Sequence, residues 1–508
     1  MRRGHLMLLA LVAVLAFPAT ASAAPVLVLG RHDRVHRRND PYLNGPALTP
    51  VPSITASSAA RSPLAARPDT SGGVPLPGAG ASRNRPPKNK KKKKVVTVRS
   101  VLAGLARRGR ISPAQEHQAL QAFDAALATE RTLSGTRRAE LSSVTTTIHQ
   151  IAAEGQLWPS RLPLVEATLN ANRQWWAHGT LLSYGQRVMF SGSELEWQYY
   201  PGQGIQLQEL GSFGAANGMW QAGQITQLTQ LLSELIPLAT GRGGGLTWEY
   251  LFSFDGGSPP WTSAMSQATA LQALSHAYQA THDDSYLTTA ARALTIFTKT
   301  PAQNGVMVPT PRGVRFVQYT FTPGTPILNA FLQSLIGLDT YAQVSGNPTA
   351  AQLFAEGNAE ALWEVPRFNT GAWSLYQPGV EDDLSYHELV TGFLQKLCAL
   401  TGAATYCTTA SAFSTDLKIP PAITALTHRA RARRPFALRF RLSKISKVGI
   451  TVRRGPRVIE ATSATFPYGV QSISVPRLPP GAYTVTLTAT DLAGNYTRDP
   501  ASALTVRR

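Results

Sequence analysis

Three stretches carry residues that could move a proton or hold a sugar. FVQYTFTPGTPILNAF, over Phe316–Phe331, sets Tyr319 just ahead of a Thr-Pro-Gly-Thr-Pro turn that leads into a helix. GAWSLYQPGVEDDLSYHELVTGFLQKL, from Gly371, gathers Tyr376, Glu381, Asp382, Asp383, Tyr386 and His387 before a helix with an apolar face. A helix start has unpaired N–H groups and partial positive charge. A phenol held there, such as Tyr386, would ionise below its ordinary value of about 10. The plainer reading packs Tyr386 and lets His387 cap the turn. EWQYYPGQGIQLQELGSFG, from Glu196, supplies Tyr200 and Gln203, and rings with amides suit the apolar face and the hydroxyls of a pyranose. In GGSPPWTSAMSQATALQAL, Trp261 precedes a Ser/Thr cap and Gln267 lies one turn into the helix, either as sugar wall or as core.

These residues need a scaffold, and the patterning predicts a mainly α one. Helical spacing begins near Val98, with Ser112-Pro113 as a helix start, and continues over Arg137–Glu154 and Leu162–Asn172. Leu181–Tyr200 reads as a hairpin. Helices are then expected over Ile205–Ala216, Gly218–Leu238, Ser263–Thr281, Ser285–Phe297, Pro326–Gln343, Thr349–Trp363 and Tyr386–Thr401. Paired in this way they predict an (α/α) toroid of helical hairpins, with Leu246–Phe254 and Val306–Phe321 as strand-like cover over a cleft. After Leu417 the pattern alternates at period two, with turns at Arg454-Gly455, Pro480-Gly481 and Gly494-Asn495. A small β-sandwich of the immunoglobulin or fibronectin type is expected over 418–508.

The 508 residues allow two or three domains, and 43% hydrophobic against 15% charged residues favours a folded core. The net charge of +20 is concentrated toward the two ends, so it bears on what the ends touch. Met1–Ala24 reads as a secretory signal, with Arg2 and Arg3 before an apolar stretch and Ala-Ser-Ala at 21–23. An uncleaved anchor is the alternative; no later stretch is apolar enough to span a bilayer. A secreted or envelope location follows. Residues 25–96 are expected to be a disordered Pro/Ser/Lys-rich tether, with the helical domain over 97–417. The lysine run from Lys88 to Lys94 is either a solvated spacer or a grip on an anionic envelope polymer. Nucleic acid is not an expected partner. In an exported chain Cys398 and Cys407 read as a disulfide, or else as two buried thiols. No metal motif of the HExxH or CxxC kind and no phosphate-binding glycine loop occurs, so no cofactor is expected.

Taken in order, PPWTSAMSQATALQAL, QYTFTPGTPILNAFLQSLIGL, LSYHELVTGFLQKL and, upstream, YYPGQGIQLQELGSFG resemble the C-terminal domain of the D-glucuronyl C5-epimerases. The resemblance spans Tyr199–Leu400. It implies an (α/α) barrel whose cleft holds an acidic polysaccharide, with Tyr319 and Tyr386 as catalytic tyrosines on opposite faces of the sugar. The expected substrate wall is Tyr200, Gln203, Trp261, Gln267, Gln318, Tyr376, His387 and Arg315, with Asn329 as a hydroxyl ligand or a turn cap. A homodimer is one expected assembly. The family carries a glutamate where this chain has Gln318, and an arginine at or near Tyr376.

The implied reaction inverts C5 of a hexuronate within a polymer. Removing the C5 proton builds an enediolate-like dianion that needs positive charge beside the carboxyl group. One group takes the proton on one face and another returns it on the other. Arg187, Arg312, Arg315 and Arg367 are the candidate cations. A polysaccharide lyase would share the first step. A glycoside hydrolase would need two carboxylates, drawn from Glu196, Glu209, Glu249, Asp255, Glu381, Asp382 and Asp383. A non-catalytic glycan-binding envelope protein is the reading from another class.

Overall fold

The computed structural model describes residues 24–42, 96–432 and 434–508. The expected leader, apart from Ala24, and the lysine run lie outside the described residues. Among those residues are twelve α-helices. Four lie at the N-terminal side: α1 (Val98–Arg107), α2 (Pro113–Thr132), α3 (Gly135–Ala153) and α4 (Leu162–His178). The Ser112-Pro113 start is realised as a capping box, in which Ser112 and Gln115 each accept the other's backbone N–H.

Eight further helices alternate between two layers. They are α5 (Glu209–Gln221), α6 (Ile225–Leu235), α7 (Ala264–Thr281), α8 (Asp284–Leu294), α9 (Leu328–Ser345), α10 (Pro348–Glu364), α11 (Leu384–Thr401) and α12 (Ala404–Asp416). α5, α7, α9 and α11 pack side by side as an inner row, and each is backed by the helix that follows it. α7 is buried along most of its length and α9 along its first three turns, as expected of helices apolar on every side. They approach closely at Gly337, where a Cβ would stand 2.2 Å from the Ala268 carbonyl oxygen.

The helix expected over Gly218–Leu238 is two helices, because Gly223 takes a left-handed φ of 70° between them. Ile205 belongs to a strand rather than a helix. α12 lies where the sequence patterning announces no helix, and a disulfide between Cys398 and Cys407 ties it to α11.

The start of the expected tether is folded. Ala24–Leu29 pairs antiparallel with Val35–Asp40 and parallel with Arg187–Phe190, in a five-stranded sheet completed by Trp197–Tyr200 and Gly204–Leu207. VLVL is a short apolar, β-branched run suited to a strand, and Val26 and Val28 are buried in the main core. The compositional bias of the residues after it masked this short signal.

The C-terminal region is strand-rich, as expected. A three-stranded and a six-stranded sheet bury their inner faces in one apolar cluster that includes Leu438, Phe440, Ile450, Val452, Val485 and Leu487. No helix among the described residues is long and apolar enough to cross a membrane.

Candidate active site

All four inner helices start at the same end of the row, and their first turns meet in one cluster of buried rings. Tyr200 comes from the strand before α5, and Tyr250, Phe252, Phe254 and Trp261 from the segment before α7. Tyr319 precedes α9, Tyr376 precedes α11, and Tyr386 stands in the first turn of α11. The segment Val317–Thr320 is pinned beside the start of α7. Ala264 N donates to Val317 O, Thr320 N to Thr262 O, and Thr262 N to the Thr320 hydroxyl. Trp261 exchanges two backbone hydrogen bonds with Tyr250 and donates its ring N–H to Phe252 O at 2.7 Å.

At the centre, the Tyr319 and Tyr376 hydroxyls share a hydrogen bond of 3.1 Å. The Tyr376 ring meets the Tyr386 ring edge to face at 5.2 Å. The two tyrosines expected to face one another across an open cleft therefore converge through a third, and they are only 5% and 4% exposed. Burial pushes the Tyr319 phenol up to about 12, while hydrogen bonds to Tyr376 and Gln318 act against the rise. Burial raises Tyr376 and Tyr200 further above the ordinary phenol value. At the start of α11 the Asp383 carboxylate accepts from Tyr386 N at 2.9 Å. The helix charge expected to act on the Tyr386 phenol is thus already met by a cap. Ser263 caps α7 in the same way, the Tyr250 hydroxyl accepts from Leu210 N in the first turn of α5 at 3.3 Å, and no side chain caps α9.

Of the expected wall, Tyr200, Trp261, Gln318 and Tyr376 lie in or against the cluster. Tyr200 receives a hydrogen bond from Gln208, and Gln318 one from the Ser263 hydroxyl. Gln203 stands at the rim, its amide oxygen accepting from Ser253 N. Three residues are not part of the wall. Gln267 spends its amide on both backbone groups of Trp248. His387 stacks on Trp373 at 3.8 Å, with its ring nitrogens on Ser374 and on Phe413 O; burial lowers its pKa to about 4. Arg315 pairs with Glu364 at 2.9 Å, against α10.

The other candidate arginines are also committed elsewhere: Arg187 to Glu196, and Arg312 and Arg367 to the Trp363 ring. Most of the candidate hydrolase carboxylates have structural tasks. Glu249 pairs with Arg161 and Arg242, Glu381 accepts backbone N–H groups, Asp382 accepts from Ser374, and Asp383 caps α11.

Tyr250, Phe252, Phe254, Tyr184 and Thr262 were not singled out in the sequence, whereas Glu209 and Asn329 were, as a hydrolase carboxylate and as a hydroxyl ligand or turn cap. Tyr250, Phe252 and Phe254 alternate along EYLFSF, a period-two signal that places them on one face. Tyr184, on the exposed side, meets Tyr200 edge to face at 6.0 Å. Glu209, at the start of α5, is buried with its carboxyl bonded to no other described residue, and burial raises its pKa well above the carboxylate range. Asn329 Oδ1 and Thr262 Oγ1 are likewise buried without a partner among the described residues. Glu140 holds the YYPGQG turn by accepting from the Tyr199 hydroxyl and from Gly202 and Gly204 N–H. Gly204 is required there: its φ is +70°, and a Cβ would meet Asn172 at 2.4 Å.

Residues 243–415 match the family model described as the D-glucuronyl C5-epimerase C-terminus. The matched segment begins before α7 and carries Trp261, Tyr319, Tyr376 and Tyr386; the YYPGQG stretch lies outside it. The chain is 31% identical over 130 residues to a D-glucuronyl C5-epimerase of Caenorhabditis elegans, a match covering 23% of this chain and 21% of that protein. It is 29% identical over 142 residues to an uncharacterized protein of Methanocaldococcus jannaschii, covering 26% and 44%. The chain thus spans less than half the length of either relative. Among solved structures, a cellobiose 2-epimerase from Bacillus thermoamylovorans overlays with a TM-score of 0.31 at 12% identity, covering 41% of this chain and 58% of that one. The family resemblance read from the sequence therefore holds, and it holds over the segment that bears the three convergent tyrosines.

Proposed function

We propose that the protein is a carbohydrate epimerase that inverts C5 of hexuronate residues in an exported or envelope polysaccharide. The observation that carries the reading is the hydroxyl pair Tyr319–Tyr376 with Tyr386 beside it, at the shared start of four inner helices. In this reading Tyr376 donates to the Tyr319 oxygen. Such a bond favours the phenolate at Tyr319 and keeps the proton on Tyr376, which matches the opposite effects of that bond on the two phenols. Burial holds Tyr319 as a phenol at neutral pH, so in this reading it first loses its proton to solvent while the cluster is open, and the phenolate left behind is a strong base suited to a C–H beside a carboxylate. Tyr386, kept as a phenol, returns a proton from the other face.

The dianion formed at the substrate carboxyl needs positive charge. Each candidate arginine is occupied elsewhere, so the start of α9, which has no side-chain cap, supplies it through its N–H groups. Asn329 and Thr262 offer unpaired acceptors to sugar hydroxyls. Entry of a polymer requires the cluster to open. The exposed turn Thr322–Gly324, next to half-buried Phe321, is the segment that moves in this reading.

The wider setting belongs to the same proposal. The inner and outer helices form an (α/α) toroid, the strand-rich end is an immunoglobulin- or fibronectin-like sandwich, and the protein is exported with its lysine run on an anionic envelope polymer. The test is isotopic. Incubation with glucuronate-containing polymers in heavy water should place deuterium at C5 in an intact chain, as read by NMR. Chain cleavage with an unsaturated end would instead indicate a lyase. Binding without exchange would leave a glycan-binding protein.

A further inference from the structure

The C-terminal strand region does not hang free of the helical region; it grips the hairpin that carries Tyr376. That hairpin is Leu375–Gln377 with Val380–Glu381, in which Leu375 opposes Glu381. The Glu381 carboxylate reaches out of it and accepts two backbone N–H groups of the strand region, from Ile445 at 2.8 Å and from Tyr468 at 2.7 Å. These donors stand in two different turns, one before the strand Ser446–Arg454 and one before the strand Gly469–Val475. One carboxylate therefore fixes the hairpin against two points of the neighbouring region. Burial raises the Glu381 carboxyl to about 7 and these two N–H groups oppose the rise, so they favour its ionised form, in which such bonds are about twice as strong as neutral ones.

A second contact lies beside the first. Lys444 is 1% exposed, pairs with Asp491 at 2.8 Å, and donates to the Asp416 and Ile419 carbonyls at the end of the helical region, both at 2.6 Å. Its ammonium lies 5.2 Å from the centre of the Trp373 ring. Trp373 stacks on His387, the residue after Tyr386, and donates its ring N–H to Asp382 O at 2.9 Å. A buried ion pair is expensive to desolvate, and a mere spacer or appended sugar-binding module would not require one at its junction.

We infer that the C-terminal strand region is a positioning element for the site, with Glu381 as the positioning residue that sets Tyr376 against Tyr319. The inference rests on the proposed function for its catalytic consequence, but the grip itself is independent of it. A misplacement of about 1 Å at a reacting group costs about 100-fold in rate. The test compares full-length wild type with Glu381→Ala by amide hydrogen exchange and by C5 deuterium incorporation. Peptides within 371–391 should lose protection while those of α9, over 328–345, keep theirs. The turnover number should fall at least about tenfold with KM little changed. Glu381→Gln, which keeps one acceptor, should recover part of both. If Glu381→Ala loses protection everywhere, Glu381→Gln becomes the deciding variant, with a smaller loosening confined to 371–391. Unchanged protection over 371–391 would overturn the inference, and so would an unchanged turnover number. If wild type exchanges no polymer at all, the functional reading fails, and the amide protection alone decides whether the grip exists.

Discussion

The ring cluster at the helix starts and the core of the strand region are both buried, yet they differ in kind. The strand core is built from Val, Leu, Ile, Ala and Phe with a single tyrosine. The ring cluster carries five tyrosine hydroxyls, and beside it stand Glu209, Asn329 and Thr262 with buried polar atoms that no other described residue satisfies. A buried polar atom without a partner costs about 1–3 kcal/mol, so a fold that keeps several in one place gives up stability there. The strand core is organised for folding, while the ring cluster keeps polar groups that the proposed function assigns to a sugar.

Removing hydroxyls from one region and methylenes from the other should separate activity from stability. Tyr319→Phe should lower C5 exchange by about 100- to 10,000-fold, the range of a general acid or base, while the melting temperature barely moves. An unchanged exchange rate would remove Tyr319 from the reaction. In the strand core, Leu487→Ala deletes a fully buried side chain and should cost about 2–5 kcal/mol in urea unfolding of that region. Below the unfolding range its exchange activity should stay near that of wild type, because it leaves the Glu381 contacts in place. Tyr376→Phe removes the hydrogen bond donated to the Tyr319 oxygen, which is charge-assisted in the phenolate, and should cost about 10- to 100-fold in turnover. It should also raise the Tyr319 phenol further, as read by ultraviolet titration of tyrosinate.

The smallest effect concerns pH. Burial raises Asp382 to about 7, against the opposing hydrogen bond from Ser374. A carboxyl raised in the folded state stabilises the fold fully below its unfolded pKa, and that contribution is lost as pH rises through the folded value. Relative to Asp382→Asn, wild type should therefore gain melting temperature as pH falls from 7 toward 4.5. A gap that stays constant with pH would show that Asp382 does not titrate in that range.

Much of this was legible along the chain. Apolar spacing located the helices, and period-two alternation located the strand region. The motifs around Trp261, Tyr319 and Tyr386 carried the family resemblance that the comparison bears out over 243–415. Misreadings had local causes. Gln267, His387 and Arg315 have the side chains of a sugar wall, but Trp248, Ser374 and Glu364 satisfy them inside the fold. Glu381 looked like one acid among three, and nothing nearby in sequence shows that its partners lie 64 and 87 residues further on.

By itself the sequence determined most of the helices and the strand character of the C-terminal region, because periodicity and capping act over a few residues; α12 and the strand Ala24–Leu29 escaped it. It also determined which tyrosines stand just ahead of or within the first turn of their helices. Only the tertiary structure decided that four helix starts share one end, that Tyr376 stands between Tyr319 and Tyr386, and that a distant strand region grips the hairpin beneath them. Those outcomes depend on packing between residues far apart in the chain, where side-chain contacts and the satisfaction of buried charge outweigh any local preference.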